Sequence, residues 1–196
     1  APGAHGANRT GRMFTGDRSG ELLYRVLYRA GFASGPESRS RGDALRLQDA
    51  YITASVRCAP PGNQPSPAEI RNCRPFLERE LDLLPNVQVV VALGRIAFDV
   101  YLGIARDCGA IASRSAFLFA HNREHRLGPS APVLLSSYHP SQQNTSTGKL
   151  SEPMLLAVFE CARELLRNTR KTEPRRGRAH VLLSEPGGPA PGPLRS

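Results

Sequence analysis

The polar segment HPSQQNTSTG at residues 139–148 holds side chains that are well suited to chemistry. It follows Val133–Ser137, a short apolar run that is typical of a buried β-strand. Its histidine, His139, is followed by Pro140, which restricts the backbone beside it. A lone histidine is most often a hydrogen-bonded structural residue, whereas a histidine at the end of a strand can serve as a hydrogen-bond donor to a reacting group. The sequence leaves both interpretations open.

A second loop, APGAHGANRTGRMFTGD at residues 1–17, is rich in glycine. Glycine allows backbone N–H groups to approach a ligand closely. The spacing fits neither the GxGxxG pattern nor a Walker A loop, which argues against a nucleotide cofactor. Arg9 and Arg12 would suit a phosphate backbone, although a simple tight turn is the plainer explanation of the glycines.

Cysteines mark a third loop. Cys58 and Cys73 flank the proline-rich stretch APPGNQP and the start of a predicted helix. Two thiolates supply half of a tetrahedral metal or cluster site. Cys108 and Cys161 are expected to be free buried thiols, since Cys161 lies at helical spacing among apolar residues.

A scaffold of alternating strands and helices must position these loops. Apolar periodicity predicts helices over residues 19–30, 66–84, 95–102 and 153–166, and strands over residues 50–56, 87–93 and 133–137. This alternation predicts the α/β class, specifically a three-layer α/β/α sandwich with a central, mainly parallel, four-stranded sheet. Because ligands bind beyond the carboxyl ends of such strands, the loops at residues 1–17, 57–65 and 138–148 should converge.

Charge points to a polyanionic partner. The 196 residues include 26 Lys and Arg against 17 Asp and Glu, a formal net charge of +9. An excess of basic residues favours binding to nucleic acid. Much of this excess lies after residue 166, where a solvated basic tail without a partner is the alternative. We therefore expect a domain over residues 1–166 and a basic, Pro/Gly-rich, disordered tail over residues 167–196. The longest apolar run, Val89–Leu93, is too short to span a bilayer, so no membrane partner is expected.

Three blocks of the sequence together resemble the uracil-DNA glycosylase superfamily, specifically its family 5 (type B). They are APGAHGANRTGRMFTGD, then YITASVRCAPPGNQP with EIRNC, and finally HPSQQNTSTG. Between the second and third blocks, VVVALGRIAF resembles the core strand of the family and the helix that follows it. The order and spacing of the blocks agree over about residues 1–166.

This resemblance implies an enzyme that hydrolyses the N-glycosidic bond of uracil, and of other deaminated bases such as hypoxanthine, in double-stranded DNA. Such excision initiates base excision repair. The implied protein is a monomer in the cytoplasm, associated with the nucleoid. The alternative is a catalytically impaired, DNA-binding remnant of such an enzyme.

The resemblance also implies roles for residues that would contact the base. His139 matches the donor that stabilises the departing base, and Phe14 matches the aromatic residue that stacks on it, with plain core packing as the alternative. Ala54 stands where family 4 has a uracil-reading Asn, and Ala1 stands where family 1 has a water-activating Asp. Both departures imply a less selective pocket.

Positioning the attacking water and binding DNA phosphates would require further polar residues. We expect Asp17 and Asn63 to handle the water, with a helix N-cap as the equally weighted alternative for Asp17. Asn144 is expected to touch the base or a phosphate. The candidates for DNA phosphate contact are Arg9, Arg12, Ser141, Gln143, Thr147 and Lys149.

Cys58 and Cys73 match the second ligand pair of a structural [4Fe-4S] cluster in this family. The first pair would lie upstream, together with the first strand of the sheet. We therefore expect an N-terminally truncated chain in which two of the four cluster ligands are absent.

Overall fold

The computed structural model describes residues 7–60, 64–172 and 180–181. Its elements follow the chain in this order: α1 (Ala7–Thr10), α2 (Arg18–Arg29), α3 (Pro67–Asp82), β1 (Val87–Leu93), α4 (Arg95–Asp107), β2 (Arg123–His125), β3 (Val133–Ser137), α5 (Gln142–Ser146), α6 (Glu152–Thr172) and β4 (His180–Val181). No helix among the described residues is both long enough and apolar enough to cross a membrane.

The sheet has the strand order β2-β3-β1-β4 and mixed pairing. β1 and β3 run parallel, with Leu93 opposite Ser137, so both strands end at the same edge. β2 is antiparallel to β3, and the two residues of β4 lie parallel to β1. The α/β class is confirmed. A mainly parallel, four-stranded sheet is not, because the described strands pair in both directions and the fourth has only two residues.

Helices cover both faces of this sheet. On one face, α2 and α6 pack on the side chains of Val89, Val91 and Leu93, and the core there is continuous with Leu135. On the other face, α4 packs on Val90 and Ala92. Since alternate residues of β1 are buried on opposite faces, the strand reads as one apolar run rather than as an alternating pattern.

Capping residues set where the helices begin. Ser66 and Glu69 form a capping box at α3, with proline at the first helical position, as the sequence predicts. Asp17 caps α2 by accepting a hydrogen bond from the N–H of Gly20 at 2.9 Å. The predicted strands 87–93 and 133–137 have the bounds that the structure shows. α6 continues to Thr172, past the predicted domain boundary at residue 166, and residues 173–179 and 182–196 lie outside the described part of the chain.

A continuous strand over residues 50–56 is not confirmed, because only Ala50 and Ile52 form single β-bridges there. None of the named strands includes this segment, although Ile52, Ala54 and Val56 alternate as buried residues. Its polar side chains instead tie it to α3. The carboxylate of Glu80 accepts hydrogen bonds from the hydroxyl of Tyr51 at 3.3 Å and from that of Thr53.

Apolar periodicity predicts none of α1, β2, α5 and β4. β2 consists of the residues REH, which lack an apolar pattern and occupy the edge of the sheet. α5 consists of QQNTS, and none of its residues is buried. Hydrophobic periodicity cannot detect elements that contribute almost nothing to the core.

A buried ion pair ties the loop at residues 36–45 to the segment after α1. Arg12 contacts the carboxylate of Asp43 at 2.5 Å, and only 7% of its side chain is exposed. Burial would raise the pKa of Asp43, but hydrogen bonds from the backbone N–H groups of Arg39 and Ser40 outweigh it, and the pKa falls to about 2. The charged form is therefore the one that the folded chain favours.

Replacing Asp43 with Asn should lower the free energy of unfolding by about 1–2 kcal/mol at pH 7. The folded pKa is depressed, so the stabilisation is present above pH 4 and is lost as the pH falls toward 2. Urea unfolding of both proteins at pH 7 and near pH 2 measures the difference in the free energy of unfolding. Glu37→Gln is the matched control, since Glu37 pairs with Arg39 in the same loop but lies exposed. An equal loss in both variants would contradict the prediction.

Candidate active site

His139 lies two residues beyond the carboxyl end of β3, where hydrogen bonds fix its backbone. The side-chain amide of Asn144 donates to the carbonyl of His139 at 2.8 Å. Ser141 caps α5 by accepting from the N–H of Asn144 at 3.3 Å. The short helix α5 thus holds the histidine from its carboxyl side.

Gly94 approaches His139 from the neighbouring strand. It ends β1, donates its N–H to the carbonyl of Ser137 at 2.8 Å and has a φ of 99°. A Cβ at this position would lie only 3.1 Å from the Cβ of His139. Glycine is therefore required here both by the backbone conformation and by the close approach.

Phe14 faces the histidine from the first loop. The centroids of its ring and of the His139 ring are 5.7 Å apart, at an interplanar angle of 32°. Its φ is 56°, in the left-handed region. The first turn of α2 packs on its backbone so tightly that a Cβ on Gly20 would lie 1.7 Å from the carbonyl oxygen of Phe14. The hydroxyl of Tyr24 also donates to the carbonyl of Met13 at 2.9 Å.

The electrostatics of this pair favour an uncharged imidazole. Burial lowers the pKa of His139 to about 4, because desolvation penalises the charged form. At neutral pH the ring carries one N–H donor and one acceptor nitrogen. Beside an aromatic face, such a group can donate a hydrogen bond to a carbonyl oxygen of a planar ligand without presenting a positive charge.

Asp17 lies exposed at the start of α2, three residues after Phe14. Its carboxylate caps the helix, which is the alternative that the sequence left open. A cap uses one lone pair of a carboxylate and leaves others available. The role in handling water stays a prediction. Asn63, its proposed partner, lies outside the described residues.

Two further candidates have clear positions. Ala54 is 9% exposed, in the segment that Glu80 holds on α3. Its predicted place beside the base stays a prediction. Asn144 uses its amide on the backbone of His139, so the structure gives it a positioning contact, and its predicted contact with base or phosphate is untested.

Most of the predicted DNA contacts cluster around α5. Ser141 and Thr147 cap its two ends, while Gln143 and Lys149 lie exposed beside it. The other two candidates lie in and just after α1. Arg9, in α1, is exposed, whereas Arg12 is buried against Asp43, which favours a structural role for it.

The two matched cysteines approach each other. The backbone N–H of Arg57, next to Cys58, donates to the Sγ of Cys73 at 3.5 Å. Both thiols are free. Within residues 7–60, 64–172 and 180–181, no group of three or more His, Cys, Asp and Glu side chains could hold a metal ion. Cys108, which is exposed, and Cys161, which is half-buried, do not join them, contrary to the expectation that both are buried. The pair of Cys58 and Cys73 alone does not complete the four-thiolate set of a [4Fe-4S] cluster.

Sequence reasoning missed the residues that shape the site without reacting. Gly94 and Gly20 each leave room for a neighbour, and the sequence signal was a glycine directly after an apolar strand and another in a first helical turn. A cavity of about 520 Å³ is lined by Arg12, Tyr24, Asp43 and neighbouring residues, and neither His139 nor Phe14 lines it.

Known proteins resemble this chain over most of its length. The family model described as the uracil DNA glycosylase superfamily matches residues 1–163. The type-5 uracil-DNA glycosylase of Thermus thermophilus is 52% identical over 165 residues, which are 84% of this chain and 72% of that relative. The type-5 uracil-DNA glycosylase of Mycobacterium bovis is 49% identical over 166 residues, 84% of this chain and 60% of the relative. That of Pyrobaculum aerophilum is 40% identical over 162 residues, 83% of this chain and 67% of the relative.

The imidazole of His139 should titrate with a midpoint near pH 4. Because the folded pKa lies below the unfolded value of about 6.5, the neutral imidazole favours the folded state. This stabilisation is present above about pH 6.5 and is lost progressively as the pH falls toward 4. Proton NMR of the ring signals measures the midpoint, and loss of one signal in His139→Gln assigns it. A midpoint at or above 6.5 would contradict the buried, neutral state.

Proposed function

Because the chain belongs to the uracil-DNA glycosylase superfamily, we propose that it hydrolyses the N-glycosidic bond of uracil in double-stranded DNA. Hypoxanthine and other deaminated bases are proposed as further substrates, and the reaction would initiate base excision repair. The observation that carries the proposal is the pairing of the His139 and Phe14 rings at 5.7 Å beyond the ends of β1 and β3.

The first requirement of the reaction is a place for an extrahelical base. A base inside the duplex cannot be attacked at its glycosidic bond, so the enzyme takes it out of the stack. Phe14 offers an aromatic face, and its carbonyl is held against Gly20 so that the ring keeps its position. The ring of His139 lies beside it, with the two centroids 5.7 Å apart.

The second requirement is stabilisation of the departing base. As the glycosidic bond breaks, the sugar becomes cation-like and the base takes up negative charge. A donor fixed before the reaction stabilises this charge without reorganisation. His139 is such a donor, since Asn144 and Gly94 hold its position and burial keeps it neutral.

The third requirement is a water molecule beside the sugar carbon. Asp17 and Asn63 are proposed to orient it. A carboxylate there would also offset the positive charge on the sugar. Asp17 is exposed and close in sequence to Phe14, which is consistent with both capping and this role.

Base selectivity is proposed to be broad because Ala54 offers no amide. A site that hydrogen-bonds a substrate through a buried amide rejects analogues strongly, whereas a methyl group discriminates weakly. Uracil and hypoxanthine both carry a carbonyl oxygen that His139 can contact.

Cys58 and Cys73 would supply two of the four thiolate ligands of a [4Fe-4S] cluster. Cys58 and Cys73 lie near each other, but the described residues do not complete a ligand set, and no step of the proposed reaction passes through such a group.

His139→Ala should lower single-turnover excision of uracil by about 100-fold or more, because one preorganised donor is lost. Duplex binding should stay near the level of the unmodified chain. Alkali cleavage of labelled duplexes that carry uracil or hypoxanthine measures excision. His139→Gln is the matched variant, since an amide retains a donor and should recover part of the rate. Equal loss of binding and excision would contradict the role, and binding without excision by the unmodified chain would favour the remnant.

Asp17→Asn separates the two roles of Asp17. Asparagine is as good an N-cap as aspartate, so the free energy of unfolding should be nearly unchanged. Excision should fall at least tenfold if the carboxylate orients water. Asp17→Ala, the paired variant, should additionally lose about 1 kcal/mol of stability. Unchanged excision by Asp17→Asn would leave capping as the only role.

A further inference from the structure

We propose that Arg95 and Lys149 form a two-point clamp on the DNA backbone, taking the phosphates that flank the extrahelical nucleotide. Two adjoining aromatic rings hold these cations in place. The position of the nucleotide rests on the function proposed above, whereas the cation and ring arrangement is a property of the fold alone. Arg95 is not among the residues that the sequence singles out for DNA contact.

Each cation lies over a ring. The Cζ of Arg95 is 5.9 Å from the centroid of the Phe119 ring, and the Nζ of Lys149 is 5.0 Å from that of Tyr138. The two ring centroids are themselves 6.2 Å apart. Cations within about 6 Å of a ring centroid are attracted by its negative face. The two cations are therefore neighbours on one aromatic support.

The support itself is fixed. His121 stacks on Tyr138 with centroids 5.0 Å apart, and its Nδ1 accepts a hydrogen bond from the N–H of Tyr138 at 3.3 Å. Phe119 meets the buried ring of Phe98 edge-on at 5.5 Å. Long cationic side chains lose conformational freedom when they bind, and a support that orders them beforehand reduces that cost.

The clamp borders the candidate active site on two sides. Tyr138 directly precedes His139, and Arg95 directly follows Gly94, which packs on His139. A phosphate group next to the nucleotide that occupies the site would lie within reach of this rim. The clamp thus lies where backbone contacts set the register of a DNA strand.

Both cations are accessible. The side chain of Arg95 is 67% exposed, and its Nε donates to the carboxylate of Asp99 at 2.8 Å. Within the described residues its terminal nitrogens have no hydrogen-bond partner, so they can take a phosphate while Asp99 orients the fork. An exposed pair of this kind is weak and does not neutralise the site. Lys149 is exposed as well.

The test uses the 196-residue chain and a duplex that carries a non-cleavable uracil nucleotide. The dissociation constant is measured over a series of KCl concentrations. Each neutralised phosphate contributes about 0.9 to the slope of log K against log salt. Arg95→Gln and Lys149→Gln should each lower the slope by about one and weaken binding several-fold at low salt. The double variant should lower the slope by about two.

Arg126→Gln is the matched control. Arg126 is 71% exposed and pairs with Glu124, so it resembles Arg95 in charge and environment. It follows β2 and lies near the start of β3, at the far edge of the sheet from His139. Its removal should leave the slope unchanged. Thermal unfolding confirms that each variant is folded.

The supporting rings are tested through Tyr138, which acts as a positioning residue. Tyr138→Phe keeps the ring and should bind like the unmodified chain, whereas Tyr138→Leu should weaken binding about as much as Lys149→Gln. Adding Lys149→Gln to Tyr138→Leu should then cost little more, because both changes remove one interaction.

The outcomes separate the clamp from the proposed function. Slopes that do not change in Arg95→Gln and Lys149→Gln overturn the clamp, even where the unmodified chain excises uracil. An equal decrease of the slope in Arg126→Gln also overturns the clamp, because the decrease then reflects only the loss of one positive charge from the protein. Slopes that fall as expected, in a chain that does not excise uracil, support the clamp and overturn the proposed function instead.

Discussion

The parallel register of β1 and β3 is the constraint on which the site depends. It places Leu93 opposite Ser137, so the residues that follow the two strands are neighbours. Gly94 and His139 then meet with no room for a side chain on the glycine. The half-buried imidazole is desolvated there, which lowers its pKa to about 4 and favours the neutral form. Backbone pairing within the sheet thus fixes where the imidazole lies.

The second wall of the site depends on a helix terminus. Asp17 begins α2, and the turn that it caps brings Gly20 against the carbonyl of Phe14. Phe14 adopts a left-handed backbone conformation that few L-residues adopt without compensation. Packing by α2 supplies that compensation. Helix capping and placement of the aromatic ring are therefore one structural arrangement.

Much of the scaffold could be predicted because its elements bury apolar side chains. β1, β3 and the four long helices α2, α3, α4 and α6 follow from continuous or periodic apolar runs and from the capping box of Ser66. His139 and Phe14 could be identified because one follows a strand and the other belongs to a recognisable block. The segment at residues 50–56 forms single β-bridges at Ala50 and Ile52 and not the continuous strand that was predicted, since alternation indicates burial but does not ensure pairing along the whole segment. Gly94 and the rings beneath Arg95 and Lys149 depend on contacts across elements, which spacing along the chain does not reveal.

The short helix α5 gives the protein an uneven resistance to unfolding. None of its five residues is buried, and side-chain hydrogen bonds from Ser141 and Asn144 hold it beside His139. Regions that are held by exposed hydrogen bonds open with far less free energy than a packed core. The α5 segment can therefore open locally while the sheet remains folded. Each such opening breaks the hydrogen bond from Asn144 to the carbonyl of His139.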